Sequence, residues 1–288
     1  MADGWLRITA KSPSEELTGL LAEGLLACGG TAIEEQDGAL VTYVPVIGAQ
    51  DEQLERIREI VCVALGTEPA RLSAEPVPEQ DWLALWRSGL APRRIGERII
   101  VSPTWSEVDA TPDDVVIRID PQMAFGTGEH ASTRGVLRLM QSLPLTGTRL
   151  LDVGSGSGIL SIAGVLLGAE HVVAVENDAD ALENAEENVA RNGAAERVTM
   201  LHAVVDAPFL DAYGGGAFDG ILANVLSSVL VPLLGAFHHA LARNGWAILA
   251  GILVEESADV RALAEQAGFV VEAEDAEEQW WSALLRRH

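Results

Sequence analysis

The sequence predicts an α/β chain of two domains: a small ferredoxin-like module, then a doubly wound sheet of seven strands with helices on both faces. Three observations carry this. Residues 5–77 run strand, helix, two strands, helix, strand. From residue 149 onward, short apolar runs alternate with helical periodicity, as a parallel sheet requires. Between the first of those runs and its helix lies LDVGSGSGIL, where Asp152 is followed by Gly154, Gly156 and Gly158. Glycines in such a turn tolerate positive φ and let a ligand lie against bare backbone N–H groups at a helix N-terminus.

The 288 residues suit about two domains, and a hydrophobic fraction of 48% supports a packed core in each. A formal net charge of -24 argues against direct nucleic-acid binding and favours a basic partner. Cys28 and Cys62 have neither metal-ligand nor CxxC spacing and read as buried small hydrophobes in a reducing compartment. The N-terminus lacks a basic start followed by an apolar core, so a cytoplasmic location is expected. Residues 220–242 carry no Lys, Arg, Asp or Glu, but Asn224, Ser227, Ser228, Pro232 and two histidines favour a buried strand and helix over a membrane span.

In the first module, Trp5 to Ala10 reads as a strand. Ser12, Pro13 and Glu15 then fit a capped helix start, with Leu17, Leu20, Leu21 and Leu25 on one face and Gly29-Gly30 as the stop. Strands at 31–35 and 39–44 flank Asp37-Gly38, a hairpin pair; a helix runs from about Asp51 to Gly66, and Arg71 to Val77 is the last strand. Residues 1–66 hold eleven acids against four bases, which disfavours RNA. That leaves a solvated acidic face or a surface for a basic partner. Prolines 76 and 78 open a linker, and EQDWLALW follows, its tryptophans either packing the linker down or meeting a substrate. The expected domains are 1–77 and 96–288, joined by a linker at 78–95. Arg98 to Pro103 and Asp114 to Asp120 read as an entry hairpin.

In the second domain, strands at 171–175, 198–201, 218–223 and 246–251 alternate with helices at 158–167, 180–192 and from 227. An antiparallel pair, Val270 to Glu274 and Trp280 to Leu285, closes the chain. That terminal hairpin separates this order from a dinucleotide-binding sheet. The glycine turn also departs from GxGxxG, from the GxSxG nucleophile elbow and from the GK[ST] phosphate loop. What remains is the acid-plus-GxGxG pattern of S-adenosylmethionine-binding domains.

Residues just past the strand ends of such a sheet form one site. Glu176, about twenty residues beyond the glycines, suits the ribose hydroxyls, while Asp178 suits a helix cap. Asp206 is placed near the base in the same way. Asn224, in ILANVL, either caps the next helix or orients a substrate amine, and Val225-Leu226 lacks the prolines and aromatic that grip a flipped base. The run DPQMAFGTGEHAST combines Phe125, Gly126, Thr127, Gly128, His130 and Thr133 ahead of a helix, a composition suited to covering a ligand. His130 is read either as a cap or as a site residue.

With DWLALW, RRIGERIIVSPTW, AFGTGEH, LLDVGSGSGIL and ILANVL together, the chain resembles the ribosomal protein L11 methyltransferase family over essentially its whole length. The resemblance implies an N-terminal substrate-recognition domain, a flexible linker and a class I (Rossmann-like) methyltransferase domain. It implies S-adenosylmethionine contacts at Thr133, Gly154, Glu176 and Asn224, joined by Phe125, Gly126, Thr127 and Gly156. His130 and Asn224 become the catalytic candidates and Trp280 the substrate contact. The implied partner is a basic ribosomal protein of the large subunit, methylated on lysine ε-amines and its N-terminal amine by a monomeric enzyme. Another protein's lysines, or a cofactor-binding scaffold without turnover, are the alternatives. Two departures stand out: Glu176 replaces the family's usual Asp, and Ser155 a frequent Cys or Thr. Asp211 to Ala217 reads as a lengthened surface loop.

Overall fold

The computed structural model describes residues 4–30, 32–36, 38–47, 49–77, 90–120 and 126–288. The chain divides into two compact units, Met1–Gly89 and Leu90–His288. Trp82, Trp86 and Phe125 lie outside the described residues, as do Thr31 and Asp37.

The first unit contains β1 (Trp5–Lys11), α1 (Thr18–Ala27), β2 (Glu34–Gln36), β3 (Ala39–Pro45), α2 (Gln50–Leu65) and β4 (Arg71–Val77). Its antiparallel sheet has the order β2-β3-β1-β4, the ferredoxin-like arrangement. Leu6, Ile8 and Ala10 alternate onto the covered face and meet Leu21 and Leu25 of α1 and Ile57 and Val61 of α2. Helix α1 starts later than the sequence predicts, after a 3-10 turn at Glu15–Leu17. The Ser12 hydroxyl is used within its own turn, donating to the Ser14 carbonyl at 2.5 Å and accepting the Ser14 N–H at 3.4 Å, and α1, whose cap position is Leu17, has no side-chain cap. Cys28 and Cys62 are only partly buried, Cys28 donating from Sγ to the Gly24 carbonyl.

The second unit begins with a three-stranded sheet of β5 (Arg93–Ile95), β6 (Ile99–Pro103) and β7 (Val115–Ile119). The expected entry hairpin is not formed. β6 and β7 are parallel, because the loop at 104–114 returns the chain to the same end, and β6 pairs antiparallel with β5 instead.

Beyond it come α3 (Ala131–Met140), β8 (Arg149–Val153), α4 (Ile159–Leu166), β9 (His171–Glu176), α5 (Ala179–Arg191), β10 (Val198–His202) and α6 (Ala207–Tyr213). The chain ends with β11 (Phe218–Asn224), α7 (Ser227–Ala240), β12 (Leu241–Leu253), α8 (Ser257–Gln266), β13 (Phe269–Glu277) and β14 (Trp280–Arg287). The seven strands lie in the order β10-β9-β8-β11-β12-β14-β13. β8 to β12 pair in parallel, and β14 runs antiparallel to both neighbours. Helices cover both faces over two apolar clusters, one around Leu150 and Ile162, the other around Leu151 and Phe237. The segment expected as a lengthened loop instead closes α6 at Tyr213 and turns at Gly214 and Gly216.

One feature of α5 fixes the approach to the site. Asn184, Asn188 and Asn192 recur every four residues, so their side chains stack along one helix face. The Asn192 Oδ1 accepts from the Arg118 N–H at 2.8 Å and its Nδ2 donates to the Arg118 carbonyl at 2.7 Å. Asn188 treats Asp120 the same way, at 2.8 and 3.2 Å, and also donates to the Ser157 carbonyl at 3.1 Å. Asn184 adds a bond to the Asp120 carbonyl. The outer edge of β7 is thus sealed by amide side chains.

Candidate functional site

The crevice opens where the strand order reverses, at the carboxyl ends of β8, β9 and β11. Register sets Val153 beside both Val175 and Ala223, so Gly154, Glu176 and Asn224 leave the sheet side by side. A cavity of about 430 Å³ lies over them, within the range of small-molecule sites. Gly126, His130, Thr133, Gly154, Gly156, Glu176, Asn224 and Trp280 all line it.

Thr127 faces elsewhere, into a crevice with Val101 and Ile119. The cause is local: Gly126 and Gly128 both have positive φ, and Gly128 sits so close to β6 that a Cβ there would lie 2.9 Å from Val101 Cγ1.

The glycine turn is built by backbone. Gly154, Gly156 and Gly158 all have left-handed φ, of 67°, 52° and 80°. A Cβ on Gly154 would lie 2.6 Å from Val225 Cγ1. The Gly156 N–H donates to Glu176 Oε2 at 2.8 Å, while Asn177 and Asp178 N–H groups donate to Oε1 at 2.9 and 3.1 Å. The longer reach of Glu is used to bend its carboxylate back onto the turn; Oε1 spends both lone pairs on Asn177 and Asp178, and Oε2 keeps one for a ligand hydroxyl. Asp178 caps α5, as expected. Asp206 also proves to be a cap, accepting the Phe209 N–H at 2.8 Å at the start of α6, and does not line the cavity.

Beneath the turn, Asp152 is fully buried and accepts from the Ser161 hydroxyl at 2.6 Å. Burial pushes its carboxyl up to about 7 against the lowering effect of Ser161.

The other wall is built by side chains. Asn224 donates from Nδ2 to Thr133 Oγ1 at 3.2 Å, and its Oδ1 is buried without a hydrogen-bond partner among the described residues. It does not cap α7, whose cap position is Leu226. His130 caps α3: its Nδ1 accepts from the Ser132 N–H at 3.3 Å and lies 2.7 Å from the Ser132 hydroxyl, which assigns the ring proton to Nε2. Its ring meets Trp280 edge to face, with centroids 4.7 Å apart. Desolvation, then the Arg134 charge, hold the imidazole below its ordinary pKa, so the ring is neutral.

Four charged residues tie this wall together, none of them expected from the sequence. Arg134 on α3 is 7% exposed and meets Glu277 at 2.6 Å; Arg138 meets both Glu277, at 2.7 Å, and Asp275, at 2.6 Å. The two guanidiniums hold the Glu277 carboxyl down at about 2. Gly135 lets α3 lie against β14, since a Cβ there would be 2.5 Å from Ser282 Oγ. These contacts hold Trp280, just past the β13–β14 turn, against His130.

The cavity fits a nucleoside-bearing methyl donor. The Glu176 Oε2 can accept from a ribose hydroxyl, the Ser155 hydroxyl is buried without a partner among the described residues, and the Asn224 Oδ1 awaits a donor such as an amine. Most of the lining residues missed by sequence reasoning are apolar, Ile159, Leu160, Val225, Leu226 and Val229 among them, signalled only by their place near the glycines or Asn224; Ser132, Asn177 and Gly251 were missed as well.

Comparison with known proteins agrees with this geometry. The family model described as ribosomal protein L11 methyltransferase matches residues 18–288. A protein of that name from Geobacter metallireducens is 36% identical, covering 98% of this chain and 97% of its own length. One from Streptococcus uberis is 33% identical, covering 81% and 72%. The crystal structure of ribosomal protein L11 methylase from Lactobacillus delbrueckii subsp. bulgaricus superposes with a TM-score of 0.61 at 27% identity, covering 69% of this chain and all of that one.

Proposed function

Because this chain belongs to the ribosomal protein L11 methyltransferase family, we propose that it methylates lysine ε-amines, and the N-terminal amine, of the large-subunit ribosomal protein L11, with S-adenosylmethionine as donor. The observation that carries this reading is the unpartnered, buried Asn224 Oδ1 in the same cavity as the Glu176-braced glycine turn. Thr133, Gly154, Gly156, Glu176 and Asn224 are the residues suited to hold the donor, with Gly126 from the loop before α3. Bound there, S-adenosylmethionine supplies a sulfonium methyl open to attack by an amine.

The chain's own task is to present that amine neutral and aligned. A lysine ammonium, with an ordinary pKa of about 10.4, has no lone pair to offer. Desolvation beside Trp280 and Val225 favours the neutral form, and Asn224 Oδ1 accepts one of its N–H groups, which turns the lone pair. His130 has Nδ1 engaged in its cap, so its part is to support Trp280. We assign substrate recognition to the acidic first unit, whose charge complements a basic ribosomal protein.

Incubating the purified chain with tritiated S-adenosylmethionine and ribosomal protein L11, intact and with its lysines replaced by arginine, tests the proposal. Label should enter the intact substrate and fall as lysines are removed; no transfer to any amine refutes it.

A further inference from the structure

We propose that the groove between the starts of α7 and α8 seats a lysine-rich, apolar-flanked segment of the protein substrate beside its target amine. This rests on the methyl-transfer reading above. The first turn of α7 separates two cavities. Leu226 and Val229 line the main one, while Ser228, Val231 and Pro232 line a groove of about 340 Å³ bounded across from them by Asp259 and Leu263. Large apolar side chains stand open to water here: Leu226 is 64% exposed, Val229 47%, Val254 45% and Leu263 38%. Such a patch at the mouth of a site marks a partner surface.

Charge selects the occupant. Glu255, Glu256 and Asp259 lie at the start of α8, and among the described residues no Lys or Arg lines the groove or the main cavity. A second copy of a chain with net charge -24 would be repelled; a lysine-rich segment would be attracted. The floor is also braced, because Glu256 accepts from the Ser227 hydroxyl at 2.7 Å and from the Leu253 N–H at 3.0 Å, joining the two helix starts. From Leu226 to Pro232 the helix rises about 9 Å at roughly 1.5 Å per residue. That is the reach of about three extended residues. The groove therefore reads an apolar residue roughly three positions from the modified lysine.

The test uses Asp259→Lys and Leu263→Ser, both outside the main cavity, on the full chain with intact ribosomal protein L11. Each should lower kcat/KM for the protein substrate about tenfold while leaving the Kd for S-adenosylmethionine within about twofold. Asp259→Lys should also flatten the salt dependence of KM. Thermal unfolding checks that both variants are folded, and a photocrosslinker placed at position 263 of otherwise unaltered enzyme should capture the ribosomal protein close to a methylated lysine. An active wild-type enzyme whose variants keep full kcat/KM, or a crosslinker that never captures that substrate, overturns the groove and leaves the methyl-transfer reading standing. A wild-type enzyme that labels no amine overturns both.

Discussion

The two walls of the cavity are made in opposite ways. The wall of Gly154 to Gly158 and Glu176 is backbone: left-handed glycines and three N–H groups converging on one carboxylate. The wall of Asn224, His130 and Trp280 is side chain, and an ion-pair cluster on α3 and β13 keeps it in place. A backbone wall tolerates almost no added atom and is held mainly through its own N–H and C=O groups. A side-chain wall accepts atoms more readily and fails when its support is removed.

The difference can be broken from either side. The largest effect is expected from Asn224→Ala, which removes the acceptor that turns the amine: kcat should fall about 100-fold or more, as misaligned transfers do, in single-turnover methylation. Gly154→Ala forces a Cβ into a left-handed position against Val225, and isothermal titration should show donor affinity lower by about 10- to 100-fold, from roughly 1–3 kcal/mol of strain. Glu176→Gln keeps the shape and loses the charge, so the donor Kd should rise about tenfold, by roughly 1.5 kcal/mol, with a smaller change in kcat.

Glu277→Gln should act in the reverse sense, lowering kcat more than donor affinity. Its pH dependence has a defined sign. A carboxyl held at about 2 in the fold stabilises it fully above its unfolded pKa of about 4.3, and that contribution is lost as pH falls towards 2. Urea unfolding between pH 2 and 5 should show a shallower loss in the variant. Asp152 bears on stability rather than on kcat or donor affinity. Its carboxyl is raised to about 7, so the folded state binds more protons between about pH 4 and 7 and stability declines across that window. Asp152→Asn should flatten the decline in thermal unfolding.

The same contrast explains what could be read from the sequence. The backbone wall was legible because glycine spacing is itself the mechanism, and because Glu176 follows at the distance one strand and one helix impose. The succession of seven strands and the terminal hairpin followed from alternating apolar runs, whereas the spatial order of the strands came only from the structure. The side-chain wall was legible only as residue types in a loop, whose individual directions depend on tertiary contacts; hence Thr127 was expected in the cavity and faces β6 instead. Arg134 and Glu277 stand 143 residues apart, and no local pattern announces their pairing. The β6–β7 pair was misread as a hairpin because strand character carries no direction, and the path of the loop at 104–114 decides it. Ser12 was misread as a cap because a hydroxyl satisfied within its own turn looks the same in sequence as one that caps.

The asparagine row on α5 has a consequence for how this protein can vary. Asn188 and Asn192 grip only the main chain of Asp120 and Arg118, whose own side chains take no part in those bonds. β7 can therefore exchange its partly exposed residues while its position is held, Ile117 and Ile119 remaining tied to the core, whereas a residue gained or lost in α5 between Asn184 and Asn192 would turn the amides on its two sides about 100° apart. Substitutions should be absorbed on one side of that seam, and insertions on neither.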